Sequence, residues 1–239
     1  MGTIRRMGTE EQLISAGVGS GDEVIVPSYA TSAAAEAVRN AGAVPVFADI
    51  DPASLCLDPA SVADAVTSRT AAVVAVDLFG HSADLAALHL IASRFALLLL
   101  EAPEPDPYPY PAPFSTHIAQ RQLNAAYLGA RLTGVVTPSV APGAVHRYHS
   151  YVVRVPGNGR PDRDAFTRAL RARGVACRVP VQTPVHRLPG FRRELWLPET
   201  ERAADECLAL PVEAGMSRRE LHRVLSACNA LGGLLPAAA

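Results

Sequence analysis

The sequence predicts an α/β protein in which a parallel sheet layer is followed by a smaller α+β domain. Over the first hundred residues, short β-branched runs alternate with alanine-rich stretches of helical periodicity, which is typical of a parallel strand–helix layer. Beyond residue 139, separate strands lie between amphipathic helices instead. With 49% apolar and 19% charged residues, the chain has enough apolar side chains for a sizeable core.

Each element of the first part is predicted from its own residues. The β-branched or leucine-rich runs predict strands at Glu23–Pro27, Val44–Ala48, Ala71–Asp77 and Ala96–Leu100. The alanine-rich runs between them predict helices at Ala33–Ala41, Pro59–Val66 and Asp84–Phe95. Asp58 precedes the second of these helices in the position of an N-cap.

Proline alternates with other residues from Pro103 to Pro113, in the run PEPDPYPYPAP. Proline fixes φ and lacks a backbone donor, so this run predicts an extended polyproline II segment rather than a helix or a central strand. At roughly 3.1 Å per residue it could span about 30 Å. Because strict alternation does not present a PxxP motif, a spacer is favoured over a ligand for an SH3-like domain.

The second part predicts a connecting helix and then an α+β domain. The helix is expected at Ile118–Arg131, and Asp162–Arg173 is expected to form another that ends at Gly174. The remaining predicted elements are strands at Tyr148–Val155 and Ala176–Val179 and helices at Glu199–Leu208 and Arg218–Leu231, the last with Ser217 as N-cap. The predicted organisation is therefore a layer over 1–101, an Xaa-Pro strap over 102–117, a connecting segment over 118–138 and a small domain over 139–239.

Charge and cysteine spacing exclude several classes of function. A net charge of -1 with no basic stripe argues against a nucleic-acid or anionic-membrane partner. The four cysteines lie far apart, which predicts reduced structural thiols and no metal site. The most apolar run, Leu97–Leu100, is too short to span a bilayer, and the N-terminus has no apolar signal core, so a cytoplasmic location is expected.

The chain contains no lysine, because all 22 of its Lys+Arg residues are arginines. A guanidinium has a pKa above about 12 and cannot form a Schiff base, so an internal aldimine has no side-chain amine on which to form.

Long stretches of the sequence resemble the DegT/DnrJ/EryC1/StrS sugar aminotransferase family. They include GVGSGDEVIVPSYATSAAAEAV from Gly17, AGAVPVFADIDPASLCLDP from Ala41, SRTAAVVAVDLFGHSADL from Ser68, GAVHRYHSYVVRV from Gly143, RGVACRVPVQTPVHRLPGF from Arg173 and CLALPVEAGMS from Cys207. The resemblance implies a fold type I layer, truncated here, and pyridoxal phosphate as the family cofactor. Gly8-Thr9 is similar to a helix start that binds the cofactor phosphate in the family.

The departures from the family fall where the resemblance places the cofactor. The family aspartate that pairs with the pyridine nitrogen is replaced, since Glu101 is followed by Ala102, and the aromatic stacking position is reduced to Thr31. One placement of the middle segment puts Gln120 in the position of the Schiff-base lysine. The placement we favour aligns Ile118–Pro138 with a later family helix, so that the proline run replaces the lysine-bearing segment. Either placement implies that no cofactor is held.

The candidate cleft residues are Ser28, Tyr29, Thr31, Asp77, His81, His186 and Arg187. Ser28, Asp77 and His81 follow strands, where open α/β sheets place ligands. Tyr29, His186 and Arg187 are expected to face each other across a cleft between 27–31 and 184–189. No catalytic triad is assigned. His117 is considered because histidine replaces the lysine in dehydratases of the family, but a solvated role is favoured. His146 and His149 are expected on opposite faces of a strand, which argues against a shared metal.

Three functions remain open from the sequence. The favoured one is a degenerate family member that has lost transamination and acts as a binding or auxiliary protein in a natural-product or deoxysugar pathway. The others are a cofactor-independent enzyme for cyclisation or dehydration and an inactive remnant. A nucleotide sugar or another polar metabolite is the expected ligand. Because the truncated sheet ends on an apolar strand, a homodimer or a heteromer with a pathway enzyme is expected.

Overall fold

The computed structural model describes residues 7–102, 114–141 and 144–232. The proline run at 103–113 lies outside these residues, so its predicted extended form stays a prediction. The chain divides into two compact units. The first unit comprises Met1–Leu78, Ser82–Pro103 and Pro184–Thr200, and the second comprises Phe79–His81, Glu104–Thr183 and Glu201–Ala239.

The first unit is built on a four-stranded parallel sheet, which confirms the predicted α/β class. Its strand order is β2-β1-β3-β4, and Ile25 of β1 lies opposite Val46 of β2 and Val73 of β3. All five residues of β1 are buried, as expected for a strand covered on both faces. The strands are β1 (Glu23–Pro27), β2 (Val44–Ala48), β3 (Thr70–Val76) and β4 (Leu98–Ala102), and the helices are α1 (Thr9–Ser15), α2 (Ala33–Asn40), α3 (Pro59–Ala65) and α4 (Leu85–Phe95).

Local signals set the ends of these elements. Asp58 accepts hydrogen bonds from the backbone N–H groups of Ala60 and Ser61, both at 3.1 Å, which confirms its predicted capping role. The fourth strand begins two residues later than predicted. Ala96 adopts a left-handed conformation, with φ +55°, as the C-cap of α4, and an extended strand cannot run through such a residue.

The second unit packs three helices against a two-stranded antiparallel sheet. The helices are α5 (Phe114–Gly129), α6 (Arg160–Ala172) and α8 (Arg218–Gly232), the strands are β5 (Tyr151–Arg154) and β6 (Cys207–Leu210), and α7 (Pro198–Glu206) precedes β6 in the chain. Apolar residues of both strands and all three helices form one buried cluster. Ser217 accepts a hydrogen bond from the backbone N–H of Glu220 at 3.3 Å, in agreement with its prediction as N-cap.

Three predicted elements of this unit are wrong in extent or kind. The predicted strand at Tyr148–Val155 starts only at Tyr151, because Tyr148 has a positive φ of +47°. Ala176–Val179 forms no strand and contributes only a bridge between Arg178 and Ala209. The helix predicted to reach Leu208 ends at Glu206, because Cys207–Leu210 is a fully buried strand paired with β5.

The compact units also group residues differently from the predicted segments. Residues 184–200, assigned from the sequence to the small domain, lie in the first unit, and residues 114–117, assigned to the strap, lie in α5. Hydrogen bonds explain the first difference, because the backbone N–H of Val185 donates to the carbonyl of Ser28 at 2.9 Å. Among the described residues, no helix is long and apolar enough to cross a bilayer.

Candidate functional site

The carboxyl end of β1 is closed by a buried pair, Ser28 and His186. The Oγ atom of Ser28 lies 2.7 Å from Nδ1 of His186 and accepts a hydrogen bond from the His186 backbone N–H at 3.1 Å. Ser28 is 0% exposed and His186 is 2% exposed. The two loops that were expected to face each other across a cleft are therefore hydrogen-bonded directly, which corrects that expectation.

This geometry holds the two loops together and does not offer a nucleophile. Because Ser28 Oγ already accepts from a backbone N–H group, its own proton can donate to Nδ1 of His186. A serine–histidine pair of this kind is chemically able to react, but a nucleophile must be reached by its substrate. The Ser28 hydroxyl is fully buried, which prevents that access, and the pair instead fixes the backbone of Pro184–Arg187 beside the sheet.

The other predicted residues of the first unit differ in accessibility. Tyr29 is buried, and Thr31 is exposed at the start of α2. Asp77, which follows β3, is half-buried and accepts hydrogen bonds from Ser82 Oγ at 3.4 Å and from the Ala83 N–H at 3.3 Å. Of the residues expected to contact a ligand here, Thr31 and Asp77 retain exposed surface, whereas Tyr29 packs in the core.

Asp49, which follows β2, makes a structural contact that the sequence did not predict. Its two carboxylate oxygens accept hydrogen bonds from the backbone N–H groups of Glu199 at 3.0 Å and Thr200 at 2.7 Å. These groups lie in the first turn of α7, where N–H donors have no partner within the helix. Asp49 thus fixes the start of α7. The sequence held no local signal for this contact because 150 residues separate the partners.

An open groove of about 500 Å³ lies beside the Ser28–His186 pair in the first unit. We call it the Arg187 groove; it is lined by His186, Arg187 and residues 192–196. Arg187 is exposed, as a ligand contact requires. Trp196 is the only tryptophan of the chain and is 85% exposed at this groove. Exposed tryptophan and arginine together are the side chains most often found at binding hot spots.

The second unit contains a separate cluster of rings, formed by the buried His81, His146 and His149 and the half-buried Tyr148. The rings of His81 and His146 are 5.0 Å apart at an interplanar angle of 80°, and His146 stacks on Tyr148 at 3.9 Å. The Tyr148 N–H donates to Nδ1 of His146 at 2.9 Å. Burial, followed by the neighbouring His81 and His149, lowers the pKa of His146 to about 3.

This cluster lies before β5 rather than on it, so the strand argument made for His146 and His149 was wrong. His81 forms an isolated antiparallel bridge with His146, and the rings meet around that bridge. Among residues 7–102, 114–141 and 144–232, no group of three His, Cys, Asp or Glu side chains is arranged to hold a metal ion. The predicted absence of a metal site stays a prediction.

The family model described as the DegT/DnrJ/EryC1/StrS aminotransferase family matches residues 8–102 and 112–229. The chain belongs to this family. The match is interrupted where the proline run lies. A crystal structure of DesV from S. venezuelae with a ketimine intermediate superimposes with a TM-score of 0.83 at 24% identity, covering 94% of this chain and 82% of that one. At this identity the likeness concerns the fold, and it confirms the fold type I class.

Two curated relatives show how far the sequence similarity of this DegT/DnrJ/EryC1/StrS member extends. The erythromycin biosynthesis sensory transduction protein EryC1 of Saccharopolyspora erythraea is 29% identical over 306 residues, covering 92% of this chain and 82% of the relative. Because 306 positions exceed the length of this chain, that alignment includes positions at which this chain has no residue. An L-glutamine:2-deoxy-scyllo-inosose aminotransferase of Micromonospora echinospora is 52% identical over 89 residues, 37% of this chain and 21% of the relative.

Pyridoxal phosphate is the cofactor implied by the family, and the residues present lack the side-chain amine that would hold it covalently. The sequence offers no lysine for an aldimine. At the carboxyl end of β1, the backbone and side chain of Ser28 are engaged by the loop at Val185 and His186. On β4, Glu101 is an exposed edge residue, and Ala102 follows it where the family carries the ring-pairing acid.

Proposed function

We propose that this protein is a family member without pyridoxal phosphate-dependent transamination that acts as a binding or auxiliary protein in a biosynthetic pathway. The observation that carries the proposal is the complete absence of lysine from the sequence. The chemistry of the family depends on an amine that can lose its proton, and arginine cannot replace it. The closed Ser28–His186 pair supports the same conclusion, since it occupies the end of β1.

The names of the relatives support the type of pathway. EryC1 is described as belonging to erythromycin biosynthesis, and the Micromonospora relative as acting on 2-deoxy-scyllo-inosose. A natural-product or deoxysugar pathway is the setting we propose for this chain. The alternative of a cofactor-independent enzyme has less support, because the hydroxyl of Ser28 is fully buried against His186.

Addition of pyridoxal phosphate to the purified protein is expected to give no aldimine absorption band. Borohydride reduction followed by peptide mass spectrometry should find no adduct on any internal residue, because only the terminal amine is available. A lysine-bearing aminotransferase of the same family, treated in parallel, shows that the reduction traps an adduct when one forms. An adduct on an internal residue of this chain would contradict the proposal.

We propose that the Arg187 groove binds the polar or phosphorylated metabolite, with nucleotide sugars as the first candidates. Arginine suits a diphosphate because its planar guanidinium donates two parallel hydrogen bonds. Arg187→Ala is expected to weaken binding of UDP-glucose or dTDP-glucose by about 1–3 kcal/mol, the usual range for a charged hydrogen bond. Titrations can follow the fluorescence of Trp196, the single tryptophan, which lies at the groove.

The matched control for this titration is Arg219→Ala, which removes an exposed arginine from α8. It should leave the affinity unchanged. Equal affinities of the wild type and Arg187→Ala would remove the groove as the metabolite site.

Assembly through β4 is the remaining part of the proposal. Among the described residues, β4 pairs only with β3, and it ends the sheet with the sequence LLLEA. The opposite edge strand, β2, carries Pro45, which cannot donate to a further strand. An apolar edge without proline favours association. We expect light scattering to give the mass of a dimer or of a complex with a pathway enzyme; a monomer at high concentration would argue against this.

A further inference from the structure

A second groove of about 400 Å³ lies in the first unit, at the outer edge of the sheet. We call it the Arg39 groove. It is formed by the end of α2, the edge strand β2 and the segment Pro189–Arg193. Its apolar lining comes from Val44, Pro45, Phe47 and Phe191, and its charged lining from Arg39, Arg192 and Arg193. Arg192 and Arg193 line both this groove and the Arg187 groove. Arg39 and β2 line only the Arg39 groove.

The groove is strongly basic although the chain as a whole has a net charge of -1. Of the residues that the structure describes, no acidic one lines it. Nor does any carboxylate of the described chain form an ion pair with Arg39, Arg192 or Arg193. Guanidinium groups gathered around one groove without a counter-charge repel each other, and an anion placed between them relieves that repulsion.

Arg39 is held in position by an aromatic ring. Its guanidinium carbon lies 4.6 Å from the centroid of Phe191. Phe191 in turn packs edge-on against Phe47, with centroids 6.3 Å apart. A guanidinium stacked on a ring keeps its N–H groups in the plane, where they remain able to donate in pairs to a carboxylate or phosphate. The stacking therefore orients Arg39 for recognition of an oxyanion.

We propose that the Arg39 groove binds an organic anion with an apolar body, an aryl or alkyl carboxylate or phosphate monoester. The apolar residues of β2 would contact the body, and the three arginines would bind the oxyanion. The volume is within the range of small-molecule sites, about 300–1,000 Å³, and such sites combine apolar side chains with a few polar or charged groups. The two grooves share Arg192 and Arg193, but Arg39 and β2 line only this one, and neither proposal requires the other.

Calorimetry at about physiological ionic strength tests the site with four probes: 1-naphthyl phosphate, 2-naphthoate, inorganic phosphate and 1-naphthol. We expect at least one naphthyl anion to bind about tenfold or more tightly than both inorganic phosphate and 1-naphthol, because each of these lacks one of the two recognised parts. The comparison of the phosphate with the carboxylate identifies the preferred oxyanion. Binding of neither naphthyl anion, or binding of 1-naphthol with equal affinity, overturns the proposal.

Arg39→Gln should weaken binding of the naphthyl anion about tenfold or more, since it removes a charged donor. The matched control is Arg94→Gln. Arg94 is also an exposed arginine stacked on a phenylalanine, with its guanidinium carbon 5.1 Å from the Phe95 centroid, but it does not line the groove. This control should bind as the wild type does, and so should Arg187→Ala. A loss caused by Arg187→Ala but not by Arg39→Gln would assign the probe to the other groove and overturn the proposal.

A second groove variant keeps the test decisive if Arg39→Gln folds poorly. Val44 is 42% exposed at the groove, so Val44→Glu adds a carboxylate without removing a core side chain. It should also weaken binding of the naphthyl anion about tenfold, because the new carboxylate repels the negative charge of the anion. Far-UV circular dichroism checks that each variant is folded. Unchanged binding in a folded Val44→Glu variant contradicts the proposed site.

Discussion

Replacement of Gly80 by alanine is expected to destabilise the second unit by about 2–5 kcal/mol, because it combines backbone strain with overpacking. Gly80 has φ +87°, and a Cβ atom at this position would lie 2.8 Å from the backbone nitrogens of both Tyr148 and His149. These atoms are backbone and cannot rotate away. The backbone N–H of Arg147 also donates to the carbonyl of Gly80 at 2.7 Å, so the close approach is part of the structure that holds the histidine cluster.

Gly17→Ala separates the two causes of this loss. Gly17 has a similar φ of +80°, but no heavy atom lies within 4 Å of its added Cβ. It should lose only about 1 kcal/mol, the cost of the left-handed conformation for alanine. The free energies of unfolding from urea titrations measure both effects. If Gly80→Ala lowered the free energy of unfolding no more than Gly17→Ala does, the histidine segment could not be packed closely against Gly80.

The centre of the parallel sheet could be predicted from the sequence because β1 is buried on both faces. Such strands appear as short continuous apolar runs, and EVIVP at Glu23–Pro27 forms a strand over those same five residues. Asp58 and Ser217 were also predictable, since an N-cap is a local signal next to its helix.

The errors arose where tertiary contacts overrode the local pattern. CLAL at Cys207–Leu210 continues the helical periodicity of α7, yet it is a strand because it pairs with β5 inside the core. Ser28 and His186 are in contact although 158 positions separate them in the sequence, and local periodicity cannot predict a contact between such distant positions. The resemblance brought both residues to attention, but only the structure shows that their side chains contact each other.

The histidine cluster shows a further limit of the sequence. His81 was selected because it follows a predicted strand, and His146 was considered only as a metal ligand. The sequence could not reveal that the two rings meet in the second unit, since this depends on the bridge between residues 65 positions apart. Burial beside these rings lowers the pKa of His146, so the charge state of His146 is coupled to folding.

Acidification is therefore expected to destabilise the fold through His146. The neutral ring of His146 accepts a hydrogen bond from the Tyr148 backbone N–H at Nδ1. Protonation of Nδ1 would place its N–H against the Tyr148 N–H, so that two donors face each other. Burial and the adjacent His81 and His149 lower the pKa of His146 from 6.5 to about 3. The unfolded chain takes up the proton first, so this contribution to stability is complete above pH 6.5 and is lost progressively as the pH falls towards 3.

The useful window for this measurement is pH 6.5 to 4.5. Hydrogen bonds from Thr67 and then Arg69 lower the pKa of Glu23 from 4.5, so its contribution to stability is lost only below about that pH. Within the window, the free energy of unfolding of the wild type should fall by about 2–3 kcal/mol from His146 alone, since each pH unit corresponds to about 1.4 kcal/mol.

A matched pair of variants tests this assignment in urea titrations across the window. His146→Gln should be less stable at pH 7, but its free energy of unfolding should depend much less on pH than that of the wild type. His222→Gln removes an exposed histidine from α8 and should keep the slope of the wild type. An unchanged slope in His146→Gln would mean that His146 is not held neutral by its burial, and the acid sensitivity would have to come from other groups.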